Sequence, residues 1–141
     1  MDVYTDGSVL PSGEGRAGFI ALEDNKVMIE RVFSKKEKTT PNRMELSSII
    51  AAIKYLKQQN YKELNIYTDS IYVINGVKSL RKWIKESTLD TKVNKELWLI
   101  YLDVSENMII NLKWIKGHEK KSKSTFHHQM NKKVDKNLKE L

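Results

Sequence analysis

Val3-Tyr4-Thr5-Asp6-Gly7-Ser8 is an apolar, β-favouring run that stops at an aspartate followed by small, turn-forming residues, and Ile66-Tyr67-Thr68-Asp69-Ser70 repeats the pattern. If the two runs are neighbouring parallel strands, both carboxylates lie at the same edge of one sheet, separated by about one strand spacing, 4.8 Å. Ionised carboxylates that close repel, so the pairing is costly unless a cation sits between them. The echo therefore suggests a divalent-metal site at a strand edge.

On either side of the echo the chain reads in two halves. Residues 2–9 form a first strand, followed by a loop with Pro11, Gly13 and Gly15. Residues 17–22 and 27–33 alternate as the arms of a hairpin turning at Asp24-Asn25, which makes three consecutive antiparallel strands. Thr39-Thr40-Pro41 is a helix start, a threonine cap followed by proline. Leu46, Ile49, Ile50, Ile53 and Leu56 then recur at helical spacing over 41–59. Residues 64–68 are the echoing strand, and Ser70 caps a short helix expected to end at Gly76. A second short helix at 79–85 and a polar connection at 86–92 follow, then a helix carrying Val93, Leu97, Ile100, Tyr101 and Val104. Residues 109–116 are the last strand and 117–124 a basic loop. The helix from Thr125 onward carries a Met130, Val134, Leu138 stripe. The expected fold class is α/β: one domain over 1–141 with a five-stranded mixed sheet, three antiparallel strands then two parallel, flanked by helices.

With 141 residues, 40% of them hydrophobic, the chain can bury one sizeable core. No apolar run approaches the ~20 residues of a membrane span, and the N-terminus lacks the basic and apolar regions of a signal peptide. A soluble, cytoplasmic protein without a membrane partner is expected, with a monomer as the default. The absence of cysteine excludes disulfides and thiolate zinc sites, leaving oxygen or histidine ligands for any metal. Lys and Arg outnumber Asp and Glu by 25 to 18, a net +7 that favours a polyanionic partner, nucleic acid first; a lysine-rich proteome is the bland alternative.

Two further acids join the pair. Glu45 sits in the first turns of the long helix, at the margin of its apolar stripe, where its side chain can lean towards the strand ends. His127, Asn131 and Asp135 fall at i, i+4 positions along one side of the last helix. Four acids from separate elements can thus converge on one edge, a hard-oxygen set suited to Mg²⁺ or Mn²⁺. Two such ions serve phosphodiester hydrolysis, one activating water and the other stabilising the leaving oxygen. Singly, each aspartate is an ordinary turn residue and each helical acid an ordinary solvated one.

Taken together, the motifs resemble ribonuclease HI, the type 1 ribonuclease H family. Tyr4-Thr5-Asp6-Gly7-Ser8, Thr39 to Leu46, Tyr67-Thr68-Asp69-Ser70 with Tyr72-Val73 and Asn75-Gly76, Trp114-Ile115-Lys116-Gly117-His118, and Asn131-Lys132-Lys133-Val134-Asp135 occur in the family's order and spacing. The resemblance implies endonucleolytic cleavage of the RNA strand of RNA/DNA hybrids with Mg²⁺ or Mn²⁺, two ions with substrate bound, leaving 5′-phosphate and 3′-hydroxyl ends. It implies Asp6, Glu45, Asp69 and Asp135 as metal-binding carboxylates and His118 as a mobile residue for proton transfer or product release. By the same resemblance Gly7, Ser8 and Asn42 touch the RNA strand, while Thr40 and Asn94, with Lys38 supplying charge, grip a DNA phosphate. His127 and His128 compete with His118, which is preferred because its block matches.

The chain departs from the family in carrying Pro41 for an asparagine, Ile71 for a glutamine, a shortened basic segment between Gly76 and Trp98, and a longer stretch between His118 and Asp135. Within the same broad fold group, a nuclease domain excised from a reverse transcriptase and a strand-transfer or junction-cleaving relative are the other enzyme readings. Outside it, the alternative is an inactive hybrid-binding module. The set of four acids with Trp114 to His118 argues against strand transfer. Met1 just before the first strand, and the finish soon after the last helix, argue for an independent gene product.

Overall fold

The computed structural model describes residues 1–116 and 125–141. His118 and the basic loop at 117–124 lie outside the described residues. Five strands form one mixed sheet in the order β3-β2-β1-β4-β5. β1 (Asp2–Val9), β2 (Glu14–Glu23) and β3 (Lys26–Lys38) run antiparallel; β1 also pairs in parallel with β4 (Glu63–Thr68), which pairs in parallel with β5 (Ile109–Trp114). Asp24 (φ 51°) and Asn25 (φ 64°) take the left-handed backbone that a tight hairpin between twisted strands requires.

The sheet separates two apolar clusters, and the period-2 alternation of its strands assigns each side chain to one of them. Val3, Phe19, Ala21, Leu64 and Ile66 face the larger cluster with α1 (Pro41–Gln58), α2 (Ile71–Lys85) and α3 (Lys95–Ser105). Their neighbours Tyr4, Ile20, Leu22 and Tyr67 face the smaller cluster, with Val134 and Met130 of α4 (Phe126–Lys139). Thr40 caps α1, accepting from the Arg43 N–H at 3.3 Å, and Thr125 caps α4, accepting from the His128 N–H at 3.3 Å. α4 is held over β1 and β4 by rings: Tyr4 stacks on Tyr67 at 4.8 Å, and His127 stacks on Tyr67 at 4.3 Å. The Tyr4 hydroxyl and His127 Nδ1 share a 2.5 Å hydrogen bond. His127 thus serves the packing of α4.

Three expectations are corrected. Gly76 does not end a helix: α2 runs unbroken from Ile71 to Lys85, merging the two short helices. Gly76 is buried against Trp98, and a Cβ there would lie 2.2 Å from Trp98 Cζ2, so the missing side chain makes room for an indole instead of freeing a cap. The apolar stripe of α3 holds at Tyr101, which is buried, and at Leu97 and Val104, which pack against the core, but not at Val93, which precedes the helix and is 79% exposed, nor at Ile100, which is exposed; Trp98, fully buried, takes their place. The polar connection, finally, contains a single 3-10 turn at Leu89–Thr91 that buries Leu89.

Candidate active site

The parallel ladder between β1 and β4 ends at the pair Tyr4–Tyr67. Two residues further on, on the same face of each strand by alternation, stand Asp6 and Asp69. Asp69 follows the last residue of β4, and its neighbourhood is pinned: Ser70 N–H donates to Thr68 Oγ1 (3.1 Å), Ser70 Oγ accepts from the Val73 N–H (3.2 Å) to cap α2, and Ile115 N–H donates to Thr68 O (2.9 Å). Trp114 Nε1 donates to the Asp69 carbonyl at 3.4 Å.

Glu45 arrives from the other layer. Gly7, one residue after Asp6, faces α1, and a Cβ on it would stand 2.4 Å from the Met44 carbonyl carbon and 2.5 Å from the Glu45 nitrogen. The bare glycine lets the first turns of α1 touch β1 and brings Glu45 beside Asp6. One carboxylate oxygen each from Asp6, Glu45 and Asp69 lies within 4.8 Å of the others. Asp135 lines the same pocket, together with Gly7, Ser8, Asn131 and Lys132, but stands outside that group of three, its Oδ2 paired with Lys139 at 3.0 Å.

The electrostatics follow from burial and crowding. The Asp6 carboxyl is pushed from 3.8 up to about 7, first by burial and then by the charge of Asp69, with Asp135 adding to it; contact with Glu45 and the Gly7 N–H, which donates at 3.0 Å, act the other way. Glu45 is raised well above 4.5, again by burial first and then by the charges of Asp6 and Asp69. Glu45 Oε2 is buried without a hydrogen-bond donor among the described residues. Acceptor oxygens packed together with a deficit of donors fit a hard cation, and the group can hold a metal ion.

A testable consequence concerns stability. In the native state the Asp6 carboxyl keeps its proton to about pH 7, whereas the unfolded chain releases it near 3.8. The associated stabilisation is complete below the unfolded value and is lost as pH rises through about 7. Chelator-treated protein is therefore expected to unfold at lower urea concentration at pH 8 than at pH 5, by an amount on the order of 1 to 3 kcal/mol. A divalent cation added at pH 8 should restore the loss, and equal urea midpoints in all three conditions would count against the crowded cluster.

The other residues named from the sequence lie elsewhere on α1 and around its start. Asn42 is exposed in the first turn of α1, and Lys38 is exposed at the end of β3. Thr40 and Asn94 are linked through Arg43, whose backbone N–H caps onto Thr40 and whose Nη1 donates to Asn94 Oδ1 at 2.9 Å. Asn94, in left-handed backbone (φ 66°) before α3, also donates from Nδ2 to the Tyr72 hydroxyl at 3.0 Å. Arg43 further pairs with Glu96, holding that carboxyl below its usual range. Sequence reasoning assigned no role to Arg43, Asn131 or Lys132. Asn131 carried a signal, its i, i+4 spacing to Asp135; it is buried, with Nδ2 unpartnered.

A mixed sheet with carboxylates gathered where two adjacent parallel strands end defines an α/β protein with an acidic pocket of a kind that could hold a cation. The RNase H family model matches residues 1–140. Similar proteins include the ribonuclease H of Thermoanaerobacter sp. (strain X514), 36% identical over 124 residues, covering 84% of this chain and 78% of that one. The ribonuclease H of Wolbachia pipientis wMel is 34% identical over 123 residues, 82% of this chain and 81% of its own. Ribonuclease HI of Campylobacter jejuni subsp. jejuni serotype O:2 (strain ATCC 700819 / NCTC 11168) is 34% identical over 119 residues, 84% and 79% respectively. The chain belongs to the RNase H family, and is thereby an enzyme of the hydrolase class, a nuclease. No helix among the described residues is long and apolar enough to cross a membrane.

Proposed function

We propose that this protein hydrolyses the RNA strand of RNA/DNA hybrids at the pocket formed by Asp6, Glu45, Asp69 and Asp135, leaving 5′-phosphate and 3′-hydroxyl ends. The observation that carries the reading is the approach of Asp6, Glu45 and Asp69 carboxylate oxygens to within 4.8 Å in a chain of this family. Mg²⁺ or Mn²⁺ fits the all-oxygen donor set, with Asp6, Glu45 and Asp69 as the inner ligands and Asp135 completing the wall. Bound there, such ions supply Lewis acidity towards the phosphodiester and neutralise charge on the leaving oxygen.

The chain's own residues do the rest. The Gly7 N–H keeps the Asp6 carboxylate oriented, and the Ser70 cap with the Trp114 indole hold the Asp69 backbone. Gly7 and Ser8 line the pocket beside the carboxylates, where a ribose 2′-hydroxyl read across a wide, shallow minor groove would be met. His118 is proposed to carry a proton or assist product release. Thr40, two residues after Lys38 in the chain, and Asn94, joined to Thr40 through Arg43, form the proposed grip on the DNA strand with Lys38, and Asn42 a further RNA contact. The net charge of +7 favours association with a polyanion.

Incubating labelled RNA/DNA hybrid, duplex RNA and duplex DNA with the protein, with and without Mg²⁺, tests the proposal. Cutting of the hybrid's RNA strand alone, dependent on the cation and leaving ends that a ligase and a phosphatase identify as 5′-phosphate and 3′-hydroxyl, is the expected result. Binding to the hybrid with no cleavage under any cation would replace the reading with that of a binding module.

A further inference from the structure

Lys132 is the one cationic residue lining the acidic pocket among the described residues, alongside Asp6, Glu45, Asp69 and Asp135. It is exposed on α4 one turn before Asp135, at the i, i+3 spacing that places two side chains on neighbouring parts of a helix surface. The other lysines of α4 are each matched to an acid: Lys133 with Glu30 at 3.5 Å, Lys136 with Glu140 at 3.9 Å, and Lys139 with Asp135 at 3.0 Å. Lys132 has no ion pair among the described residues, although it lines a concavity that holds four carboxylates. The adjoining Asn131 brings a buried, unpartnered Nδ2 to the same pocket wall.

We propose that Lys132 is a substrate-binding residue of this pocket, its ammonium pairing with a non-bridging phosphate oxygen of the strand being cut. A pocket lined by four carboxylates repels a phosphodiester until positive charge is present, and a lysine at its rim supplies part of that charge permanently. Lysine suits the position as a compact point charge on a flexible stem that can follow a phosphate. The inference rests on the pocket being the cleavage site, and it deepens that reading by assigning the strand's phosphate a fixed protein partner.

The test measures binding by fluorescence anisotropy in EDTA, so that no turnover occurs, using the full chain and a short labelled RNA/DNA hybrid. Lys132→Gln is expected to weaken binding roughly threefold to tenfold at low salt and to lower the log–log salt slope by about one. Lys132→Arg should retain most of the affinity. Lys136→Gln, on the same helix but outside the pocket, reports the general field and should cost less. The contact is then localised with hybrids carrying one uncharged methylphosphonate, moved along the RNA strand: at one position the Lys132→Gln penalty should vanish. A penalty no larger than that of Lys136→Gln, or one unchanged at every position, overturns the proposal. Cleavage by the unaltered protein with Mg²⁺, run in parallel, separates the two failures. If the hybrid is cut and the penalty is missing, only the Lys132 assignment falls; if no hybrid is cut, the functional reading falls and takes this one with it.

Discussion

Asp69→Asn is expected to lower hybrid cleavage by about a hundredfold or more, since loss of a partner behind a metal ligand already costs about tenfold to a hundredfold and Asp69 is proposed as a ligand itself. The change removes charge with little change of shape, so binding of the hybrid should survive. It also carries an opposite signature in stability. The Asp69 charge is a cause of the raised Asp6 and Glu45 carboxyls, so removing it relieves repulsion in the folded state. Chelator-treated Asp69→Asn should therefore be more stable than the unaltered protein at pH 8, by on the order of 1 kcal/mol in urea unfolding. Inactive yet stabilised is a combination that a merely structural aspartate does not produce. Retention of full cleavage by Asp69→Asn would remove this residue from the metal site.

Gly7→Ala is expected to damage both fold and activity. The added methyl meets the Met44 carbonyl carbon at 2.4 Å, the Glu45 nitrogen at 2.5 Å and the Met44 oxygen at 2.6 Å, all backbone atoms that cannot rotate away. α1 must retreat from β1, at a cost of roughly 1 to 3 kcal/mol or more for overpacking. The retreat carries Glu45 away from Asp6 and Asp69, and a displacement of ~1 Å at a reacting centre is worth about a hundredfold in rate. Alanine keeps the N–H that donates to Asp6, so the loss belongs to the packing and not to that hydrogen bond. The loss should fall on kcat far more than on KM. A rise in KM alone would instead mark Gly7 chiefly as the RNA contact suggested by resemblance, and unchanged stability would contradict the close approach of α1.

The strand echo was legible because both halves of its physics are local. Alternation assigns each strand residue a face, and an aspartate two positions after Tyr4 or Tyr67 inherits that face; the register Tyr4–Tyr67 then puts Asp6 and Asp69 at one edge. The hairpin turn at Asp24-Asn25 and the threonine caps of α1 and α4 were legible for the same reason, since turn and cap chemistry is settled within a few residues. Gly76 misled because a glycine near a helix end has two uses that look identical in sequence. Which one applies depends on Trp98, more than twenty positions away, lying against it.

What the chain determined by itself was the alternation of its strands, the caps and stripes of α1 and α4, the supply of acids and the lack of thiols, and therefore a mixed sheet with carboxylates at strand ends. Only the tertiary structure decided that Glu45 comes within 4.8 Å of the pair while Asp135 stays on the pocket wall with Lys139, that His127 joins a Tyr4–Tyr67 stack, and that Lys132 lines the acidic pocket with no ion pair among the described residues. Those outcomes depend on how closely α1 and α4 approach opposite faces of the sheet. That approach is governed by backbone contact at Gly7 on one side and ring packing on the other, interactions between residues remote in sequence that no local period encodes.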